Sequence, residues 1–171
     1  ISVAADLNRD WQWEARSANL LGTILHKETT VDATDNIADV DQSLGIRAAI
    51  QCYSLSKTLA QSGDAKNSLV NLEIASTAMR NLGLAHLTIG RNTDAIRILS
   101  HAATLERERL ESLVNSSSSP SSPNYEDHHS EGKATAAVAS SLGQQQYFLA
   151  SLLEREGNMV GAREALETYL E

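Results

Sequence analysis

The chain has 171 residues, a formal charge of −8 and one cysteine. That length suits one compact domain or about five helix-pair repeats. The acidic balance, without a Lys/Arg cluster, argues against a nucleic-acid partner, and a lone Cys52 cannot form an internal disulfide.

Apolar residues make up 42% and aromatics only 4%, so the apolar content is chiefly Leu and Ala, which favour helix over strand. Both prolines, Pro120 and Pro123, fall in one short stretch, which leaves the rest of the chain without a proline break. No apolar run approaches the roughly 20 residues that cross a bilayer, so no membrane insertion is expected. The single thiol fits a reducing compartment, cytoplasmic or nuclear. The chain begins at Ile1 rather than Met and reads as part of a longer protein.

In chain order, a first helix is expected over 10–28, with Trp11, Trp13, Leu20, Leu21, Ile24 and Leu25 as its apolar set. Trp11 and Trp13 are two apart and diverge on a helix, so one can be core and the other exposed. A polar stretch, 29–36, reads as a loop, followed by a helix over 37–62. The next helix, 65–89, carries two adjacent apolar stripes. One runs Leu69, Leu72, Ala75, Met79, Leu82, His86, Ile89; the other runs Val70, Ile74, Ala78, Ala85. Two stripes mean packing on two sides, where a simple surface helix has one. Further helices follow at 92–115, 133–156 and 159–171. Between them, Asn115 to Asn124 has no apolar residue and cannot repay its ordering entropy. Together with Tyr125 to Gly132 it reads as a flexible Ser/Pro-rich insertion, about 115–132, within a single repeat domain spanning 1–171.

One short word recurs along the chain: Leu, a small residue, Gly seven positions on, and a small residue five further. It appears as Leu55-Ser56, Gly63, Ser68; as Leu82-Gly83, Gly90, Ala95; and as Leu149-Ala150, Gly157, Ala162. A polar residue that can open the next helix follows each Gly: Asp64, Asn92 and Asn158. Gly ending one helix and Asx opening the next is the chemistry of a tight helical hairpin. The small residues would let the two helices approach closely, Gly83 and Ala150 facing Ala95 and Ala162. The interval from Ser56 to Gly83 is only 27 residues, which predicts one long helix over 65–89, roughly 36 Å, serving two words.

These residues resemble tetratricopeptide repeats. The best unit, 76–109, carries Met79, Leu82, Gly83, His86, Gly90, Ala95, Leu99 and Ala102 at that family's signature spacings, with His86 where the family usually has Tyr. The last unit has Gln146, Leu149, Ala150, Leu153, Gly157, Ala162, Leu166 and Tyr169. A weaker unit has Cys52, Leu55, Ser56, Leu59, Gly63, Ser68, Leu72 and Ala75, and Leu21-Gly22 with Leu25 marks a degenerate fourth. The resemblance implies an all-α fold: an α-α superhelical solenoid of antiparallel helix pairs, here with irregular repeat lengths. It also implies that the first helix of each pair lines a concave groove. The family's groove positions fall on Tyr53 and Lys57 in the weaker unit, on Arg80, Asn81, Leu84 and Thr88 in the best unit, and on Tyr147, Phe148, Ser151 and Arg155 in the last.

Little in the sequence points to catalysis. It contains no nucleophile elbow, no phosphate-cradling Gly-rich loop and no His-Glu-x-x-His. Cys52 falls at a core position and is expected to be a packing cysteine, and His86 a core or groove histidine. Asp127, His128 and His129 read as a solvated loop rather than a metal site. Ser119-Pro120 and Ser122-Pro123 are candidate phosphorylation sites. The expected function is therefore a non-enzymatic scaffold or adaptor, without cofactor or metal, that takes a partner's extended peptide or helix in its groove. The alternatives are an architectural segment of a large multi-subunit assembly and a positioning region for an active domain elsewhere.

Overall fold

A computed structural model describes residues 3–31, 39–62, 68–117 and 127–170. Among them are six helices and no strand: α1 Val3–Val31, α2 Asp39–Ser62, α3 Leu69–Thr88, α4 Asn92–Ser117, α5 Asp127–Arg155 and α6 Met159–Leu170. The chain divides into two compact units, residues 1–102 and 103–171.

In the first unit α1 packs on α2, α2 packs on α3, and α1 touches α3 directly. Contacts at the glycines give the helix directions. A Cβ on Gly22 would meet the Tyr53 ring at 2.7 Å, and one on Gly45 would meet Thr29. As α1 advances from Gly22 to Thr29, the facing position on α2 retreats from Tyr53 to Gly45, so the two helices are antiparallel. Polar contacts between α1 and α3 advance together along both helices, from Gln12–Asn71 to His26–Thr88, so α1 and α3 are parallel. The expected stripes of α3 go into the core: Leu72, Ala75, Met79 and Leu82 on one, Ile74, Ala78 and Ala85 on the other, all buried. Burying each Leu, Ile or Met stabilises by about 1.5–3 kcal/mol relative to exposure.

The apolar set expected for α1 is corrected. Among the described side chains of α1, Trp11, Trp13, Leu20, Leu21 and Ile24 are exposed and Leu25 is half-buried, while Ala15 and Gly22 are buried. The Tyr53 ring needs the space beside α1, and only a small residue can lie under it. The larger side chains are left on the opposite side.

The length of α3 also differs from expectation. Ser68 has extended backbone, and its hydroxyl accepts the Asn71 N–H at 3.2 Å, so it is an N-cap rather than a helix-contact position. This cap starts the helix at Leu69, and its 20 residues span about 30 Å. Helix α3 is still the one helix shared between two words, as the 27-residue interval implies, but it is shorter than the expected 65–89. Gly63 and Asp64 lie outside the described residues. The word Leu55-Ser56-Gly63-Ser68 runs from α2 into α3, and the other two words span α3–α4 and α5–α6.

Those two hairpins end alike. Gly90 has φ +71° and Gly157 has φ +78°. Gly90 N–H donates to the Leu87 carbonyl and Arg91 N–H to that of His86, each at 2.9 Å. Gly157 N–H donates to Glu154 and Asn158 N–H to Leu153 in the same pattern. Both are Schellman caps with glycine in the left-handed position. Asn158 then caps α6 as expected, its Oδ1 accepting the Gly161 N–H at 3.0 Å. In α4 the cap position is Arg91, whose carbonyl accepts from Ala95, and Asn92 is already helical. Gly83 faces Leu99, whose Cγ would be 2.6 Å from an added Cβ, rather than Ala95.

The second unit holds the end of α4 with α5 and α6. Its core includes Leu105, Val138, Leu142, Leu149, Leu152 and Ala162. Helix α4 runs through Asn115 to Ser117, and α5 begins at Asp127, so both ends of the expected 115–132 insertion are helical. Residues 118–126, with both Ser-Pro pairs, lie outside the described residues, as do the side chains of Asp127, His128 and His129.

Candidate binding groove between the first and third helices

On α1, Gln12, Asn19 and His26 are spaced by seven residues, which places them on one face of the helix. Each meets α3. Gln12 Nε2 donates to Asn71 Oδ1 at 3.4 Å, Asn81 Nδ2 donates to Asn19 Oδ1 at 3.1 Å, and His26 Nε2 lies 3.0 Å from Thr88 Oγ1. Thr88 uses its own proton on the Leu84 carbonyl, so the third contact requires an Nε2–H on His26. Burial pulls the His26 imidazole below its ordinary pKa and favours the neutral ring. The ring also meets Tyr53 edge-on, centroids 6.4 Å apart.

Between the Gln12 and His26 contacts lies a cavity of about 280 Å³. Arg16, Asn19, Leu20 and Thr23 line it from α1, with Glu73, Ile74 and Thr77 from α3. Leu20 and Ile74 supply apolar walls, and the two threonines offer methyl groups beside their hydroxyls. Asn19 Oδ1 is taken by Asn81, which leaves the Asn19 amide N–H donors and the Asn81 Oδ1 acceptor side by side. A donor next to an acceptor matches the N–H and C=O of an extended backbone.

The structure divides the sequence-derived groove positions. Arg80, Asn81, Leu84 and Thr88 share the face of α3 that carries Glu73 and Thr77, at helical spacings of three, four and seven. Asn81 and Thr88 touch α1 directly, while Arg80 and Leu84 are half-buried beside them. Tyr53 is a correction. It is only 1% exposed and sits on α2 beneath Gly22, so its ring belongs to the core and is closed to a partner. Burial raises its phenol pKa, against the opposing effect of its side-chain interaction with Thr23. Lys57 is also on α2, half-buried one turn beyond Tyr53. Cys52 is half-buried rather than fully packed. His86 is half-buried, and its buried Nδ1 has no partner among the described residues.

In the second unit Tyr147, Ser151 and Arg155 follow one another at spacings of four on α5, with Phe148 alongside. Tyr147 is 64% and Phe148 39% exposed, and Ser151 Oγ donates to the Tyr147 carbonyl at 3.0 Å. Arg155 is exposed in the last turn, where its charge complements the helix dipole.

Sequence reasoning missed the α1 wall: Gln12, Arg16, Asn19, Thr23 and His26. The seven-residue spacing of hydrogen-bonding side chains was the available signal. Among the described residues no three His, Cys, Asp or Glu side chains gather to hold a metal, and no helix is long and apolar enough to cross a membrane. Comparison with protein-family models, with curated proteins and with solved structures finds no significant match to this chain.

Proposed function

We propose that this chain is a protein-interaction scaffold of the tetratricopeptide type, and that the groove between α1 and α3 takes an extended segment of a partner protein. The supporting observation is the open cavity between two parallel helices, bordered by amides that are only half used by each other. A parallel pair of first helices with the second helix packed against both is the arrangement that repeat stacking requires. The amides supply backbone hydrogen bonds, and Arg16 and Arg80 supply charge.

The reading is tested by reversing both charges, Arg16→Glu with Arg80→Glu, and measuring capture of a peptide selected against the wild-type chain. Binding is expected to be lost with helicity and melting unchanged. Retained binding rejects the groove.

A second reading, an architectural segment with broad surface contacts, has its own support. Trp13, Leu21 and Ile24 on α1, and Met159, Val160 and Leu166 on α6, are exposed apolar side chains away from the cavity lining. In that case crosslinks to a partner would map to those faces instead of to the cavity.

A further inference from the structure

Resting on the groove reading, we infer that the α1–α3 cavity is an anchor pocket for a single apolar side chain, and that the segment carrying it is acidic on the side facing Arg16 and Arg80. Volume comes first. About 280 Å³ falls just below the ~300–1,000 Å³ typical of pockets that enclose a drug-sized ligand. A cavity of ~150 Å³ already holds a benzene ring, so the space has ample room for one bulky apolar side chain. Its walls offer that occupant Leu20, Ile74 and the carbon atoms of Thr23 and Thr77, alongside the polar Arg16, Asn19 and Glu73.

Charge decides what surrounds the anchor. The whole chain carries −8, yet this face does not share that balance. Along α1 the residues facing α3, from Gln12 through Arg16, Asn19 and Thr23 to His26, include no acid, and Glu14 and Glu28 fall on the far side. Helix α3 has one acidic side chain, Glu73, in its whole length. Arg16 is exposed at the cavity and Arg80 is half-buried, and neither forms an ion pair among the described residues. The two ends of the groove therefore differ. Glu73, two residues from Asn71, lines the cavity toward the Gln12 end and is engaged by a partner of its own. Arg80, beside Asn81, favours a carboxylate at the Asn19 end. The segment is oriented by this polarity: anchor in the cavity, carboxylate on the Arg80 side, backbone against Asn19 and Asn81.

The experiment selects phage-displayed random 12-residue peptides on the 171-residue chain and measures the enriched peptides by fluorescence anisotropy. Enriched sequences are expected to share one large apolar residue with Asp or Glu on one side of it. Thr77→Phe, which fills the cavity, should weaken them at least tenfold. Should Thr77→Phe lose helicity, Leu20→Trp fills the same space from a cavity-wall side chain that is 61% exposed. Peptides that lose binding with Arg16→Glu plus Arg80→Glu but ignore both cavity-filling variants overturn the anchor and leave the groove standing. Peptides indifferent to all of these variants, or no enrichment at all, overturn both. Enriched peptides that are basic overturn the charge assignment.

Discussion

A glycine inside a helix costs about 1 kcal/mol relative to alanine, through lost chain entropy. Gly22 and Gly83 both accept that cost, and in each case an added Cβ would collide with a bulky side chain of the following helix, the Tyr53 ring or Leu99. Gly83→Ala should therefore destabilise despite the better propensity, by a net of up to roughly 2 kcal/mol, since overpacking costs typically about 1–3 kcal/mol and the propensity gain returns about 1 kcal/mol. Chemical denaturation gives the number, and an unchanged midpoint would show that Leu99 moves aside freely. The role of Gly83 was legible in the sequence, but its neighbour was not. Helical side chains lean toward the N-terminus, so Leu99 covers the level of Gly83 while Ala95 sits nearer the turn. Ser56 makes the opposite case. It is fully buried, and its hydroxyl has no partner among the described residues. An unpartnered buried hydroxyl is a cost, so Ser56→Ala is expected to leave stability unchanged or raise it by up to about 1 kcal/mol. A fall in melting temperature would reveal a partner for the hydroxyl.

Helix boundaries were legible where a cap is built from glycine and opaque where it is built from serine. The repeated Leu-small-Gly word pointed to two hairpin turns, and both proved to be Schellman caps with left-handed glycine. Nothing lies within 4 Å of a Cβ at Gly157, so only backbone strain opposes substitution there. Gly157→Ala should cost about 1–2 kcal/mol, the usual penalty for an L-residue in that conformation, read as a lower denaturation midpoint. The third word misled because Ser68 matches the pattern of a small contact residue while its hydroxyl starts a helix. Two histidines near helix seams give α3 a pH response. Burial lowers the pKa of His26. It lowers that of His86 too, where Asp94 opposes the shift and Arg91 and Arg97 add to it. The unfolded chain then holds the proton more tightly. Their contribution is complete above pH about 6.5, falls as pH drops from there through the lowered folded values, and levels off below them. Thermal melts between pH 7.5 and 5 should show a smaller decline for His26→Gln than for wild type. Equal declines would exclude His26 as a contributor.

Across the whole chain, Leu/Ala composition and helical periodicity identified the all-α class correctly, because they report which faces are apolar. They reported less well which face of α1 goes inward. Trp13 and Leu20 look like core by residue type, but the space under Tyr53 is too narrow for them. The groove was half legible for a related reason. Its α3 wall carries the clearest repeat, and its α1 wall carries a degenerate one, where amides and hydroxyls take the positions of a recognisable word. The most direct measurement is an amide and side-chain NMR footprint of a display-selected peptide on the labelled 171-residue chain. The groove account predicts the largest shifts at Asn19, Thr77 and Asn81, with the Asn19 and Asn81 side-chain amides moving together. Shifts confined to the outer apolar faces of α1 and α6, with those three residues unmoved, would contradict it.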